Sequence, residues 1–367
     1  MACRETPRNL AASACVIKSC KKLVDNVNLF GKISKMENSV QKAPSETSQE
    51  KGNSLGLTFN FERIALDGFK PYYETGLGAA YLGDAKTLLA ALPDASVNLV
   101  FTSPPYALHF KKAYGNVTKD QYVDWFLAFA KEIYRILPED GSFVLNIGGS
   151  WNEGVPTRSL YQYKLLIALV EQVGFHLAQE CVWYNPAKMP VPAEWVSVRR
   201  IRVKDSCEHV WWLSKTPWPK ANNRNVLRPY SKDMLRLAQK GVKAAVRPSG
   251  HNITRSFDTI AEGGSIPPNV IDDETPSEFL RFGNTSANDI YTKLCKENGV
   301  KIHPARFPAA LPEFFVKLLT DPSDIVLDPF TGSNTLGQVA EALQRRWFGF
   351  ELSEEYLRGS RYRFFSK

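Results

Sequence analysis

Hydrophobic positions along this chain follow two alternating rhythms, short continuous apolar runs and steps of three or four residues. Runs at Ala80 to Leu82, Val97 to Phe101 and Ser142 to Ile147 predict strands. Between the last two, Tyr122, Phe126, Phe129, Ile133 and Leu137 recur at helical spacing, which predicts one buried helix face over Gln121 to Leu137. A second helix is predicted from Ser159 to Val173, stopping at Gly174. Nearer the C-terminus the pattern gives a helix through Leu319, a strand Ile325 to Leu327, a helix Thr335 to Leu343 and a strand Trp347 to Phe350. A strand, a turn, a helix and a strand ending in an acid form a mononucleotide-binding half, so the expected class is α/β. Residues 1–55 lack any sustained period and end in the polar run Gln41 to Asn53, which predicts a mobile extension.

With 44% hydrophobic and 12% aromatic residues, the chain has apolar material for a sizeable core, which excludes disordered and collagen-like classes. No run of eighteen apolar residues occurs, so a soluble, cytoplasmic protein with no membrane partner is expected. The six cysteines form no close CxxC pair, which argues against a zinc site or a disulfide framework; no metal is expected.

Charge is unevenly placed. The formal net charge is +8, yet residues 187–260 alone hold fifteen Lys/Arg against five Asp/Glu, and residues 1–55 hold nine against five. The remainder is therefore slightly acidic. A single basic block on such a scaffold is what holding a phosphate backbone over one part of an enzyme requires.

Two short segments carry candidate chemistry. Asp328-Pro329-Phe330-Thr331-Gly332-Ser333-Asn334-Thr335 follows a predicted strand and opens a helix, and Glu351 ends the next strand. The three-glycine dinucleotide fingerprint is missing, which favours a cofactor without phosphates. S-adenosylmethionine fits, because a glycine permits close backbone approach and an acid at a strand tip can accept both ribose hydroxyls. An ordinary strand-to-helix turn with a surface Glu remains the alternative. The second segment, Thr102-Ser103-Pro104-Pro105-Tyr106, ends the run that starts at Val97. Ser103 and Pro104 both precede prolines and are held to extended backbone at the carboxyl end of a strand. The Ser103 hydroxyl, the Pro104 carbonyl and the Tyr106 ring suit an exocyclic amino group on a flat base. Two acceptors draw its nitrogen towards tetrahedral geometry while the ring stacks on the base. The alternative is a Pro-Pro turn beside a core tyrosine.

Taken together, these two segments resemble those of the beta-group amino-methyltransferases, in which the catalytic motif precedes the cofactor motif. The Ser-Pro-Pro-Tyr form is similar to that of cytosine-N4-specific DNA methyltransferases. The resemblance spans about Ala79 to Phe365 and implies a Rossmann-like S-adenosylmethionine-dependent methyltransferase fold. It implies a circularly permuted motif order and an inserted basic target-recognition region. The domains then read as 1–55, the extension; 56–186, the catalytic half with the Ser-Pro-Pro-Tyr motif; 187–300, the basic recognition region; and 301–367, the cofactor half. The resemblance implies Ser103, Pro104, Pro105 and Tyr106 as catalytic. For the cofactor it implies Asp84, Phe307, Pro308, Asp328, Phe330, Gly332, Ser333, Asn334, Thr335 and Glu351. The implied activity is methylation of cytosine N4 in a short duplex site, CAGCTG, protecting DNA from a cognate restriction endonuclease that is a functional and not a physical partner. Departures are the extension before residue 56 and Tyr106, where related members can carry Phe.

A base inside a duplex cannot reach such a corner, so the target cytosine is expected to be flipped into it by a monomeric enzyme. Direct in-line attack by the amino nitrogen is expected, and the absence of any Pro-Cys dipeptide argues against the carbon-5 route. DNA-contacting candidates are Lys111, Lys112, Arg199, Arg200, Arg202, Lys204, Arg247 and Arg255. Arg200, Arg202 and Lys204 alternate with Ile201 and Val203, as on a strand with one charged and one buried face. Val182 to Pro186 either lines the flipped base or, through Trp183, packs in the core. His251 and His303 have no assigned role. Competing functions are adenine amino methylation, a protein or RNA amide methyltransferase, and a DNA-binding regulator without activity.

Overall fold

The computed structural model describes residues 66–107, 117–240, 245–246, 248, 252–253, 263–272, 275–277 and 290–365. The predicted extension, Lys111, Lys112, Arg247, His251 and Arg255 lie outside the described residues.

The strands are β1 (Tyr73–Glu74), β2 (Gly78–Leu82), β3 (Leu99–Thr102), β4 (Ser142–Ile147), β5 (His176–Tyr184), β6 (Cys207–Ser214), β7 (Ala245–Val246), β8 (Asn252–Ile253), β9 (Val270–Ile271), β10 (Ile325–Asp328) and β11 (Arg346–Glu351). β7 and β8 form a separate two-stranded pair; the other nine make one sheet, in the order β1-β2-β11-β10-β3-β4-β6-β5-β9. From β2 to β4 neighbours are parallel, whereas β6 runs antiparallel to both β4 and β5. Strand β10, from the C-terminal part of the chain, thus lies beside β3 in the middle of the sheet. The segment 187–300, expected as a recognition region, itself contributes β6 between β4 and β5.

Eight α-helices are described: α1 (Ala85–Ala90), α2 (Tyr122–Ile136), α3 (Tyr161–Ala168), α4 (Lys232–Lys240), α5 (Ile290–Glu297), α6 (Ala310–Leu319), α7 (Thr335–Ala342) and α8 (Glu354–Ser360). On one face of the sheet, Leu88 and Leu89 of α1, Phe126 and Ile133 of α2 and Leu165 of α3 pack on Val100, Phe143 and Leu327. On the other, Phe315 of α6, Leu336 and Val339 of α7 and Leu357 of α8 pack on Phe101, Val326 and Trp347. Coverage on both faces explains why β3, β4 and β10 are buried at every position instead of alternating. α2 ends where Leu137, preceding Pro138, turns extended. α3 continues as a wider π turn, Leu169–Val173, and stops at Gly174, whose φ of 98° suits a glycine.

One predicted strand does not form. Between β5 and β6, Glu194–Val198 is a single π turn, Arg200 has φ 55°, and Ile201 and Val203 are 48% and 87% exposed. The alternation of Arg200 to Lys204 has no neighbouring strand to pair with. Instead the Arg202 guanidinium donates to the Pro156 carbonyl at 3.1 Å and the Lys204 ammonium to that of Pro186 at 2.7 Å. Period-two patterning yields a strand only where an adjacent edge can take its hydrogen bonds.

Candidate active site

From β10 the chain crosses through α7 to β11 on one side, and from β3 through α2 to β4 on the other. The carboxyl ends of β10 and β3 therefore flank the point where strand order reverses, the crevice in which open α/β sheets bind ligands. Both predicted motifs begin there. The Thr102 hydroxyl, last in β3, donates to Asp328 Oδ1, last in β10, at 2.6 Å. Two segments 226 residues apart in sequence are thereby tied together at their first residues.

On the β10 side, Asp328 Oδ1 also accepts the Phe330 amide at 3.0 Å, which folds the turn back on itself. Asp328 Oδ2 is buried and has no partner among the described residues. Burial drives this carboxyl up to about 7, against the lowering effect of its Thr102 and Phe330 hydrogen bonds. Gly332 has φ 50°, and a Cβ there would lie 3.0 Å from the His303 ring, so both conformation and packing call for glycine. Its amide donates to Glu351 Oε2 at 2.9 Å, and the Ser353 amide donates to Glu351 Oε1 at 2.8 Å. The Leu352 amide also bonds this carboxylate, and the three backbone donors leave part of its accepting capacity spare. Burial raises the Glu351 pKa, opposed by those backbone donors.

On the β3 side, Ser103 and Tyr106 are half-buried. The Pro104 carbonyl takes no hydrogen bond from any described residue. The Tyr106 ring lies against Gly148, where a Cβ would come within 2.5 Å of it. Its hydroxyl is 3.1 Å from Ser103 Oγ, 3.2 Å from Asn146 Oδ1 of β4 and 2.8 Å from Glu208 Oε2 of β6. Glu208 Oε1 in turn accepts from the Lys188 ammonium at 3.0 Å. Burial holds the Tyr106 phenol well above its usual pKa, and the Glu208 charge adds to the effect.

The other expected residues divide. Asp84 follows β2 and caps α1, accepting the Thr87 amide at 3.3 Å from an exposed position. The Phe330 ring packs edge-on against Phe129 of α2, with centroids 5.1 Å apart, and Phe307 packs likewise on Phe101 at 5.2 Å, with Pro308 half-buried beside it. Asn334 is structural: its carbonyl caps α7 through the Gly337 amide and its amide holds the Tyr73 hydroxyl at 2.9 Å. Ser333 and Thr335 are buried with hydroxyls 3.3 Å apart. Trp183 is buried in the core, as the packing alternative has it. His303 gives its Nδ1 hydrogen to the Ala305 carbonyl at 2.5 Å, and burial pulls its pKa down to about 4, so it is neutral at physiological pH. Arg199, Arg200, Arg202 and Lys204 are exposed, with Arg199 ion-paired to Glu194 at 2.7 Å. Their segment is anchored by Asp205, which accepts from Arg158 and from the Trp151 indole.

Sequence reasoning named Thr102 only as the start of its segment, without a role, and singled out none of Asn146, Lys188 and Glu208. An amide inside the apolar run Ser142 to Ile147 was the one available signal, since a buried polar group needs a partner.

A family model describing DNA methylases, N6_N4_Mtase, matches residues 97–361. The chain belongs to this family. The methylase is 49% identical over 316 residues to type II methyltransferase M.PvuII of Proteus hauseri, covering 84% of this chain and 91% of that protein. It is 27% identical over 283 residues to DNA adenine methyltransferase YhdJ of Escherichia coli K12, covering 75% and 79%. The solved structure of PvuII DNA methyltransferase (cytosine-N4-specific) aligns with a TM-score of 0.64 at 43% identity, covering 81% of this chain and 90% of that one. The fold is that of S-adenosylmethionine-dependent methyltransferases, and S-adenosylmethionine is the methyl donor. The residues present fit it: the lone buried oxygen of Asp328 and the spare lone pairs of Glu351 are acceptors for a cofactor rich in hydrogen-bond donors and free of phosphate.

Proposed function

We propose that this methylase modifies the exocyclic N4 of a cytosine flipped out of duplex CAGCTG, and so protects DNA from a cognate restriction endonuclease. The observation that carries the reading is the Thr102–Asp328 hydrogen bond, which fixes an amine-binding corner beside a cofactor turn. When bound, S-adenosylmethionine supplies a methyl group on a sulfonium, already activated for displacement. The protein's task is then alignment, and well-oriented reactants account for about 7–11 kcal/mol of barrier lowering. Ser103 Oγ and the Pro104 carbonyl accept the two amino hydrogens and favour a tetrahedral nitrogen, while Asp328 and Glu351 hold the cofactor. Exposed Arg199, Arg200, Arg202 and Lys204 supply cations for the phosphate backbone, together with Lys111, Lys112, Arg247 and Arg255 outside the described residues. Support for cytosine over adenine comes from the likeness to the solved PvuII enzyme, described as cytosine-N4-specific, since the relatives of this chain also include a DNA adenine methyltransferase.

Labelled S-adenosylmethionine is incubated with duplexes that contain or lack CAGCTG, and the DNA is digested to nucleosides. N4-methylcytosine from the CAGCTG duplex alone is expected. N6-methyladenine, or no label in DNA, overturns the reading.

Cofactor affinity should depend on pH. Asp328 must be ionised to hold a cationic ligand, yet in the free protein its pKa is raised to about 7. Below that value binding has to expel a proton, so affinity rises with pH, by up to about tenfold per unit, and levels off above 7. Calorimetry at pH 5.5, 6.5 and 7.5, in buffers of different ionisation enthalpy, measures both the affinity and the released proton.

A further inference from the structure

The hydroxyl cluster behind Ser103 has a direction. Tyr106 has a single O–H hydrogen and faces two acceptors, Asn146 Oδ1 at 3.2 Å and Glu208 Oε2 at 2.8 Å. The shorter, charge-assisted bond to the carboxylate takes it. The lone pairs of Tyr106 Oη then face Ser103 Oγ, 3.1 Å away, and only Ser103 can donate across that gap. With its hydrogen committed backwards, Ser103 presents lone pairs alone to whatever lies in front. Chained bonds of this kind polarise one another, which strengthens Ser103 as an acceptor.

We infer that Glu208 is the terminal proton acceptor of the reaction, reached through Ser103 and Tyr106. The inference rests on the amine methylation proposed above. Once the nitrogen has gained its methyl group it carries one proton too many. Its N–H bond breaks with the electron pair staying on nitrogen, and the proton passes to Ser103 Oγ. The former Ser103 hydrogen moves to Tyr106 Oη, and the former Tyr106 hydrogen moves to Glu208 Oε2. Each hydroxyl ends with one hydrogen, the nitrogen is neutral, and Glu208 holds the proton. Release of that proton to water resets the chain, and the Lys188 ammonium, 3.0 Å from the other carboxylate oxygen, pairs with the restored carboxylate. Tyr106 never has to ionise, which agrees with a phenol whose burial keeps it protonated. Neither Tyr106 nor Glu208 needs to touch the cofactor.

The test has two arms. In cofactor-free protein, the infrared difference between wild type and Glu208→Gln isolates one carboxylate stretch, and Tyr106→Phe is expected to shift it. An unmoved band overturns the relay. In single-turnover assays, Glu208→Gln keeps an oxygen that accepts from Tyr106 but cannot take its proton. A rate loss of about 30-fold is expected, below the usual contribution of a positioned base because water offers a slower route. Dissociation constants for S-adenosylmethionine and DNA should stay within twofold, a split that a merely structural ion pair would not give. A rate within threefold of wild type refutes the proposal. Should Glu208→Gln not fold, Tyr106→Phe carries the same kinetic expectation. Failure of the underlying reading is separable, because wild-type protein then yields no N4-methylcytosine whatever the infrared band does.

Discussion

Replacing Ser103 by alanine should lower single-turnover methyl transfer by about 10²–10³-fold while S-adenosylmethionine binds within twofold of wild type. The split follows from position. Ser103 belongs to the β3 side of the crevice, whereas Asp328 and Glu351, proposed above to hold the cofactor, lie on β10 and β11. Losing one of two acceptors leaves the amino nitrogen conjugated to its ring and poorly nucleophilic. The Pro-Pro backbone does not depend on the serine hydroxyl, so Pro104 stays in place. Quench-flow on a duplex with one target, alongside calorimetry for the cofactor, checks both halves. Unchanged turnover would show that the hydroxyl is not an acceptor for the amine.

The second large effect is expected on binding. Glu351→Ala removes a carboxylate that accepts the Gly332 and Ser353 amides and is expected to take ribose hydroxyls with its remaining lone pairs. Hydrogen bonds to a charged acceptor contribute about 1.5–3 kcal/mol each, so the dissociation constant for S-adenosylmethionine should rise about 100-fold. The maximal rate at saturating cofactor should fall much less, since the corner around Ser103 does not touch Glu351. Calorimetric titration reads the first quantity and saturation kinetics the second. A dissociation constant within threefold of wild type would remove Glu351 from the binding site.

Much of this architecture was legible in the sequence because hydrophobic runs and turn residues are local signals. Ser142–Ile147 forms as read, and α2 (Tyr122–Ile136) lies one residue inside the expected span at each end. The two motif segments open at neighbouring strand ends because the strand-turn-helix pattern placed each at a carboxyl end. What brings them into contact was not legible. The Thr102–Asp328 bond joins residues 226 positions apart, and neither side chain advertises the other. Glu208 stands near the start of β6, ahead of the apolar run Val210 to Leu213, and only the antiparallel register of β6 against β4 carries it to Tyr106. The alternation at Arg200 to Lys204 failed for the reverse reason: a local pattern suited to a strand has no edge to pair with.

A complex with a non-reactive cofactor analogue and a duplex containing the target tests the central claim most directly. The account predicts the cytosine outside the stack, its amino nitrogen within hydrogen-bond distance of both Ser103 Oγ and the Pro104 carbonyl, and the analogue's sulfur side facing that nitrogen. A base held by other groups, or a corner turned away from the bound analogue, would contradict it.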